Sequence, residues 1–193
     1  MTQRVFVDAN VFYSKTLMDW LFLLRRENDG MFQLHATEDV FAEVASNMRK
    51  KHPRLPGHAV RRRVELMRKS VDEVLTTFPG DLPFTGTDEN DYHIHAAAIY
   101  CQADLLLTDN RPTDITTNEN EHYETICPDD FFVLVANSAP PKMLYPIIRD
   151  QIAYWSKKAE YRQLDEALRR ARCPEFADIV LSILQKMALI SEK

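Results

Sequence analysis

Two short apolar runs in this chain each close on a polar strand tip carrying an aspartate. Val5-Phe6-Val7-Asp8 stands near the start and Leu105-Leu106-Leu107-Thr108-Asp109 far downstream. Both are too short for helices and both precede helical patterns, so each reads as a buried parallel strand feeding a βα turn. Between them the pattern alternates. Val11, Phe12, Leu17, Leu21, Phe22 and Leu24 predict a helix ending near residues 27–30, and residues 32–36 predict a second strand. Thr37 offers an N-cap, with Glu38 and Asp39 in the first turn where the helix dipole favours acids. Val40, Phe41, Val44 and Met48 form that helix's apolar stripe, which Pro53 and Pro56 end. A basic amphipathic helix is predicted over residues 58–77, and Thr87 is the expected cap of the next helix. Residues 110–124 lack periodicity and predict a surface loop, residues 125–127 a short strand, and Pro128 suits the first position of a helix.

Alternating strands and helices imply an α/β fold with a parallel sheet and right-handed crossovers. Ala139-Pro140-Pro141 is the natural boundary, dividing the chain into residues 1–138 and a helical extension, 139–193. The extension reads as three helices broken near Lys158 and at Cys173-Pro174. Ile147, Ile148, Ile152 and Trp155 recur at helical spacing, as do Ile179, Ile183, Leu184 and Met187, so these helices have apolar sides to bury.

Ligands of open α/β sheets sit outside the carboxyl ends of the strands, where Asp8 and Asp109 both fall. Two helices can aim further acids at the same edge: Glu43 in the second turn after Thr37, and Asp91 near the helix start after Thr87. Carboxylates gathered without a cation repel each other. Four oxygen ligands from four segments suit Mg²⁺ or Mn²⁺, which can activate water against a phosphoester. Asn10 either fixes the turn after Asp8 or takes part in the site, and Asn110 and Arg111 either shape their turn or meet a phosphate. His93 and His95 are two apart and point to different faces of a helix, though His95, one turn after Asp91, can face the acidic pocket.

Composition narrows the function classes. With 193 residues, 45% of them hydrophobic, the chain can bury one α/β core and a small appendage. Only 4 residues are Gly, and neither the dinucleotide fingerprint nor the P-loop occurs. Cys101, Cys127 and Cys173 are odd in number and far apart, which argues against a disulfide framework and structural zinc and fits a reducing cytoplasm. No apolar run is long enough for a membrane span, and a strand begins by Val5, where a secretory signal would otherwise stand. The net charge of −5 hides a dipolar chain. Residues 49–69 hold nine Lys/Arg, Arg61, Arg62 and Arg63 among them, against one acid; residues 81–130 hold twelve acids against one base. The first region can attract a polyanion and the second a cation.

Four segments carry a family likeness. Phe6-Val7-Asp8-Ala9-Asn10, Val40-Phe41-Ala42-Glu43-Val44, Asp91-Tyr92-His93-Ile94-His95-Ala96-Ala97-Ala98 and Ala103-Asp104-Leu105-Leu106-Leu107-Thr108-Asp109-Asn110 resemble the PIN-domain ribonuclease pattern. Within it the chain is most similar to the branch containing VapC-type toxins of toxin–antitoxin pairs. The likeness runs over residues 4–138. It implies a PIN-like three-layer α/β/α fold whose acidic quartet, catalytic and metal-binding, matches Asp8, Glu43, Asp91 and Asp109. It further implies Mg²⁺ or Mn²⁺ as cofactor and RNA as substrate, for which the basic run offers Arg61, Arg62 and Arg63 as phosphate contacts, in the cytoplasmic setting that the cysteines fit. An antitoxin protein is the implied partner, with a homodimer surface as the other use of the C-terminal helices. Two features depart from the pattern: the extension beyond Pro141, and the acid-rich loop 110–124, a poor phosphate clamp. Two rival functions stand beside this one. A small-molecule phosphohydrolase using Asp8 as nucleophile lacks the usual second acid, since Asn10 stands there. A non-catalytic RNA- or protein-binding module would have no need of an intact quartet.

Overall fold

The computed structural model describes residues 2–140, 142–157 and 163–191; Pro141 and Lys158 lie outside them. Five strands, β1 (Gln3–Val7), β2 (Phe32–Thr37), β3 (Glu73–Leu75), β4 (Leu105–Leu107) and β5 (Glu124–Ile126), form one sheet. All neighbours are parallel, in the order β3-β2-β1-β4-β5. The fold is the expected three-layer α/β/α class. Val5, Phe6, Val7, Leu106 and Leu107 are fully buried, as strands covered on both faces require.

The chain runs outward from β1 through β2 to β3, then returns to β1's other side with β4 and β5. That reversal makes the β1/β4 boundary the topological switch point, where a crevice opens beyond the strand ends. Val5, Phe6 and Val7 stand opposite Leu105, Leu106 and Leu107. This register brings Asp8 level with Thr108, and the Asp8 N–H continues the ladder to the Leu107 carbonyl at 3.0 Å.

Ten helices accompany the sheet among the described residues: α1 (Ala9–Tyr13), α2 (Lys15–Glu27), α3 (Glu38–Lys51), α4 (Gly57–Ser70), α5 (Tyr92–Tyr100), α6 (Pro112–Ile115), α7 (Pro128–Ser138), α8 (Leu144–Trp155), α9 (Leu164–Arg170) and α10 (Pro174–Ser191). Thr37 caps α3 as expected, accepting from the Val40 N–H at 3.2 Å. Elsewhere the structure corrects the pattern. The single helix expected after β1 is two, because Ser14 takes extended backbone between them. The helix expected over residues 58–77 stops at Ser70, and its last residues become the edge strand β3. Asp72 makes that splice: its N–H donates to the Leu34 carbonyl, and its carboxylate accepts from the Leu34 N–H, both at 2.8 Å. Asp88, not Thr87, opens the next helical stretch, accepting from the Asn90 N–H at 3.0 Å ahead of a 3₁₀ turn over Glu89–Asp91. The loop over residues 110–124 contains α6 and is tied down by backbone bonds from Thr87 to Thr113 and from Asp88 to Asp114. Gly86 permits this approach, since a Cβ there would lie 2.4 Å from the Asp114 carbonyl oxygen.

Contacts group the residues into two compact units. Met1–Ser14 with Gly30–Cys127 holds the whole sheet, and Lys15–Asp29 with Pro128–Lys193 gathers α2 and α7 with the C-terminal helices. In the second unit Phe176 is the hub. Trp20 meets it edge-on with ring centres 5.1 Å apart, and Phe132 lies 5.3 Å away. Ile147 and Ile148 are fully buried, whereas Ile152, Trp155, Ile179, Leu184 and Met187 are only half-buried.

The buried Asp129 carboxylate accepts from the N–H groups of Glu175 (3.1 Å) and Phe176 (2.9 Å) and so caps α10 from another helix. Asp129→Ala leaves those two donors unsatisfied, so a loss of about 1–2 kcal/mol is expected. Urea unfolding followed by tryptophan fluorescence measures it directly, because both tryptophans lie in this unit. An unchanged midpoint would remove the capping role.

Candidate active site

The site begins with a buried charge. Asp8 emerges from β1 with 2% of its surface exposed and caps α1, its Oδ1 accepting from the Ala9 N–H. Its Oδ2 accepts from the Thr108 hydroxyl at 2.6 Å and from the Asn10 amide at 2.7 Å. Thr108 Oγ1 is then saturated: it donates to Asp8 and accepts from the Asn10 amide and the Asn110 N–H, each at 3.0 Å. Asn110 extends the network. Its Oδ1 accepts from Asn10 at 3.1 Å and its amide donates to Asp91 Oδ2 at 2.9 Å. A continuous chain of hydrogen bonds therefore runs from Asp8 through Asn10 and Asn110 to Asp91, joining two strand tips to the start of α5.

Glu43 reaches the same region from α3. Its side chain is 43% exposed, Asn47 donates to Oε1 at 3.4 Å, and His93 Nε2 lies 3.9 Å from Oε2. Burial, above all, pushes the Asp8 pKa up to about 6, and the charges of Glu43 and Asp91 add to it against the Thr108 hydrogen bond. Asp91 is also raised, by burial first and then by Asp88, while the Asn110 hydrogen bond and His93 hold it down. These shifts show that the Glu43 and Asp91 carboxylates bear electrostatically on Asp8.

Asp109 is exposed, and its backbone N–H donates to Asn10 Oδ1 at 3.1 Å. The carboxamide of Asn110 is the group from that turn that binds Asp91. Asn10 and Asn110 thus belong to the site as well as to their turns. Buried His95 is kept out of the acidic pocket, with Nδ1 2.7 Å from the Tyr123 hydroxyl and Nε2 3.1 Å from the Pro83 carbonyl. On α4, Arg61 and Arg62 are exposed, Arg61 lying 3.4 Å from Glu65. Arg63 turns inward, and its guanidinium donates to the Phe12 and Tyr13 carbonyls at 2.8 Å each. Asn47 went unread in the sequence, although its position four residues after Glu43 is the spacing that lets helical side chains meet.

Among the described residues no group of three or more His, Cys, Asp or Glu side chains is arranged to hold a metal ion by itself. The donor chemistry nevertheless fits a hard divalent ion, which keeps several waters and is bound through one or two carboxylates. Asp8 is held above its ordinary range by burial first and by its negative neighbours second, and a cation relieves both.

A PIN domain family model matches residues 4–112, more than half of the chain and a stretch containing the whole cluster. The chain belongs to the PIN domain family. No curated protein and no solved structure matches it. The PIN domain is generally a nuclease fold, its members act on RNA or DNA, and they usually bind divalent metal ions.

In this PIN domain the raised Asp8 makes a stability prediction. A folded-state pKa of about 6 against 3.8 means that the native state holds the proton more tightly than the unfolded chain. Stability from Asp8 is therefore full below pH 4 and is lost as pH rises through about 6. Asp8→Asn escapes that loss, so metal-free Asp8→Asn is expected to exceed the original protein by up to about 3 kcal/mol at pH 8 and by little at pH 4. Urea unfolding in EDTA at the two pH values tests the sign; an equal difference at both would mean Asp8 is not titrating there.

Proposed function

We propose that this PIN domain is a Mg²⁺- or Mn²⁺-dependent endoribonuclease and the toxin of a type II toxin–antitoxin pair. The observation that carries the nuclease reading is the convergence of Asp8, Asp91 and Glu43 at the switch point, with Asp8 pushed up to about 6. Asp8, Asp91 and Glu43 would hold the ion, and Asp109 at the rim is the fourth acid of the proposed quartet. When bound, a divalent ion sets positive charge against the phosphoryl oxygens and acidifies water at the site. Thr108, Asn10 and Asn110 hold the Asp8 and Asp91 carboxylates in fixed orientations, so no side-chain reorganisation is needed when charge develops on the phosphate.

RNA as substrate draws support from the exposed cations of residues 49–69, with Arg61 and Arg62 facing solvent. Arg63 donates to the Phe12 and Tyr13 carbonyls instead, so the proposed phosphate contacts of this run are Arg61 and Arg62. The toxin assignment rests on the likeness of residues 91–98 and 108–110 to VapC-type sequences, and it brings an antitoxin protein and a cytoplasmic setting with it. Among the described residues no helix is long and apolar enough to cross a membrane. Residues 1–138 are proposed as the catalytic part and 139–193 as an extension serving association, with an antitoxin or a second copy.

Purified protein on RNA and on a generic phosphomonoester, with Mg²⁺ and then EDTA, is the deciding experiment. Cleavage of RNA alone, lost in EDTA, is expected. Hydrolysis of the phosphomonoester instead would favour a phosphohydrolase, and binding without cleavage a non-catalytic module. Asp8→Asn, Glu43→Gln and Asp91→Asn are each expected to lower cleavage by at least about a hundredfold, a loss of roughly 3 kcal/mol in the barrier. Turnover at the original rate in any one of them would remove that residue from the machinery. A separate expectation concerns binding. Replacing Arg61 and Arg62 together by Gln should weaken RNA affinity and lower the salt slope by about 1.4, at roughly 0.7 per phosphate contact on a single strand. An unchanged slope in a salt titration would make these two arginines a solvated face only.

A further inference from the structure

His93 has a role that the acidic quartet does not cover. It lies in the first turn of α5, two residues after Asp91, with its ring turned toward Glu43. Nδ1 is 2.9 Å from the Asn90 carbonyl oxygen. A carbonyl can only accept, so Nδ1 carries the hydrogen, and in the neutral ring Nε2 presents its lone pair. That Nε2 is buried and has no hydrogen-bond partner. It faces Glu43 Oε2 across 3.9 Å, too far for a hydrogen bond. A buried lone pair aimed at a carboxylate is unfavourable unless something positive lies between them, either a proton on Nε2 or a metal cation. His93 Nε2 and the half-exposed Glu43 carboxylate would be the two groups to hold such an ion, the carboxylate closing on it by a small side-chain rotation.

We infer that His93 is a nitrogen ligand that makes this centre select a transition metal, Mn²⁺, over Mg²⁺. The inference rests on the metal-dependent reading above and deepens it. Mg²⁺ is hard and takes oxygen donors; Mn²⁺ also favours carboxylates but, as a first-row transition ion, accepts an imidazole nitrogen beside them more readily than Mg²⁺ does. An all-carboxylate centre has little means of distinguishing Mn²⁺ from Mg²⁺ beyond size. One imidazole, fixed in its metal-binding tautomer by the Asn90 carbonyl, supplies that means. The arrangement matches the rule that a ligating histidine donates its other ring N–H to a backbone carbonyl or carboxylate.

Mn²⁺ alone is the probe. The full chain is titrated with Mn²⁺ while free Mn²⁺ is followed by electron paramagnetic resonance, then competed with Mg²⁺. Pulsed measurements on the bound Mn²⁺ read any ¹⁴N coupling. The expected result is an imidazole ¹⁴N coupling in the original protein, absent in His93→Ala. The preference for Mn²⁺ over Mg²⁺ should fall at least about tenfold in that variant, with Mg²⁺ affinity nearly unchanged. His93→Gln keeps a polar side chain without the imidazole and should behave alike if His93→Ala fails to fold. Bound Mn²⁺ without ¹⁴N coupling, or an unaltered preference in the variants, overturns the role of His93 while leaving a metal-dependent centre. Absence of Mn²⁺ and Mg²⁺ binding altogether overturns the metal-dependent reading itself, and this inference with it.

Discussion

The site depends on one buried carboxylate and the strand pairing that puts it there. Parallel pairing of β1 with β4 sets Asp8 beside Thr108 at the edge where the sheet changes direction. Moving a carboxylate out of water costs several kcal/mol unless donors replace the water. Asp8 receives the Ala9 N–H, the Thr108 hydroxyl and the Asn10 amide, yet its pKa still rises to about 6. The donors hold the carboxylate in place without satisfying its charge. Such a residue is oriented and undercompensated at once, the condition a cation-binding centre needs before its cation arrives.

The two asparagines follow from the same constraint. A carboxylate at position 10 or 110 would place a further negative charge against Asp8 or Asp91, where like-charge repulsion is already present. A carboxamide offers an acceptor on one side and donors on the other, so it can bridge two groups that repel. Asn110 does this, accepting from Asn10 and donating to Asp91. Charge is thus kept to the few acids of the cluster, and the framework between them is neutral.

Much of this was legible in the sequence because parallel sheets obey strong rules. Apolar runs ending in polar residues gave the β1 and β4 tips, and helix caps at Thr37 gave the position of Glu43. What the pattern could not resolve was local. Asp109 and Asn110 are neighbours in one turn, and only the backbone path after β4 brings the Asn110 carboxamide onto Asp91. Strand β3 was hidden because Val71, Val74 and Leu75 continue the apolar spacing of α4; the bonds from Asp72 to Leu34 on the open edge of β2 override it. Thr87 looked like a cap by residue type, but its hydroxyl bonds Asp114 and Asp88 does the capping. Each of these outcomes depends on a partner distant in sequence.

The basic run 61–63 shows why a charge count along a chain misleads on a helix. Successive residues of α4 point about 100° apart, so three consecutive arginines cannot share one environment. Arg61 and Arg62 face solvent, while Arg63 donates to the last carbonyls of α1. Helix α1 has five residues, too few to persist alone. It is held at both ends by charge of the sign its dipole prefers: the Asp8 carboxylate at the N-terminus and the Arg63 guanidinium at the C-terminus. The third arginine of the basic run therefore acts on the other end of the helix that Asp8 begins.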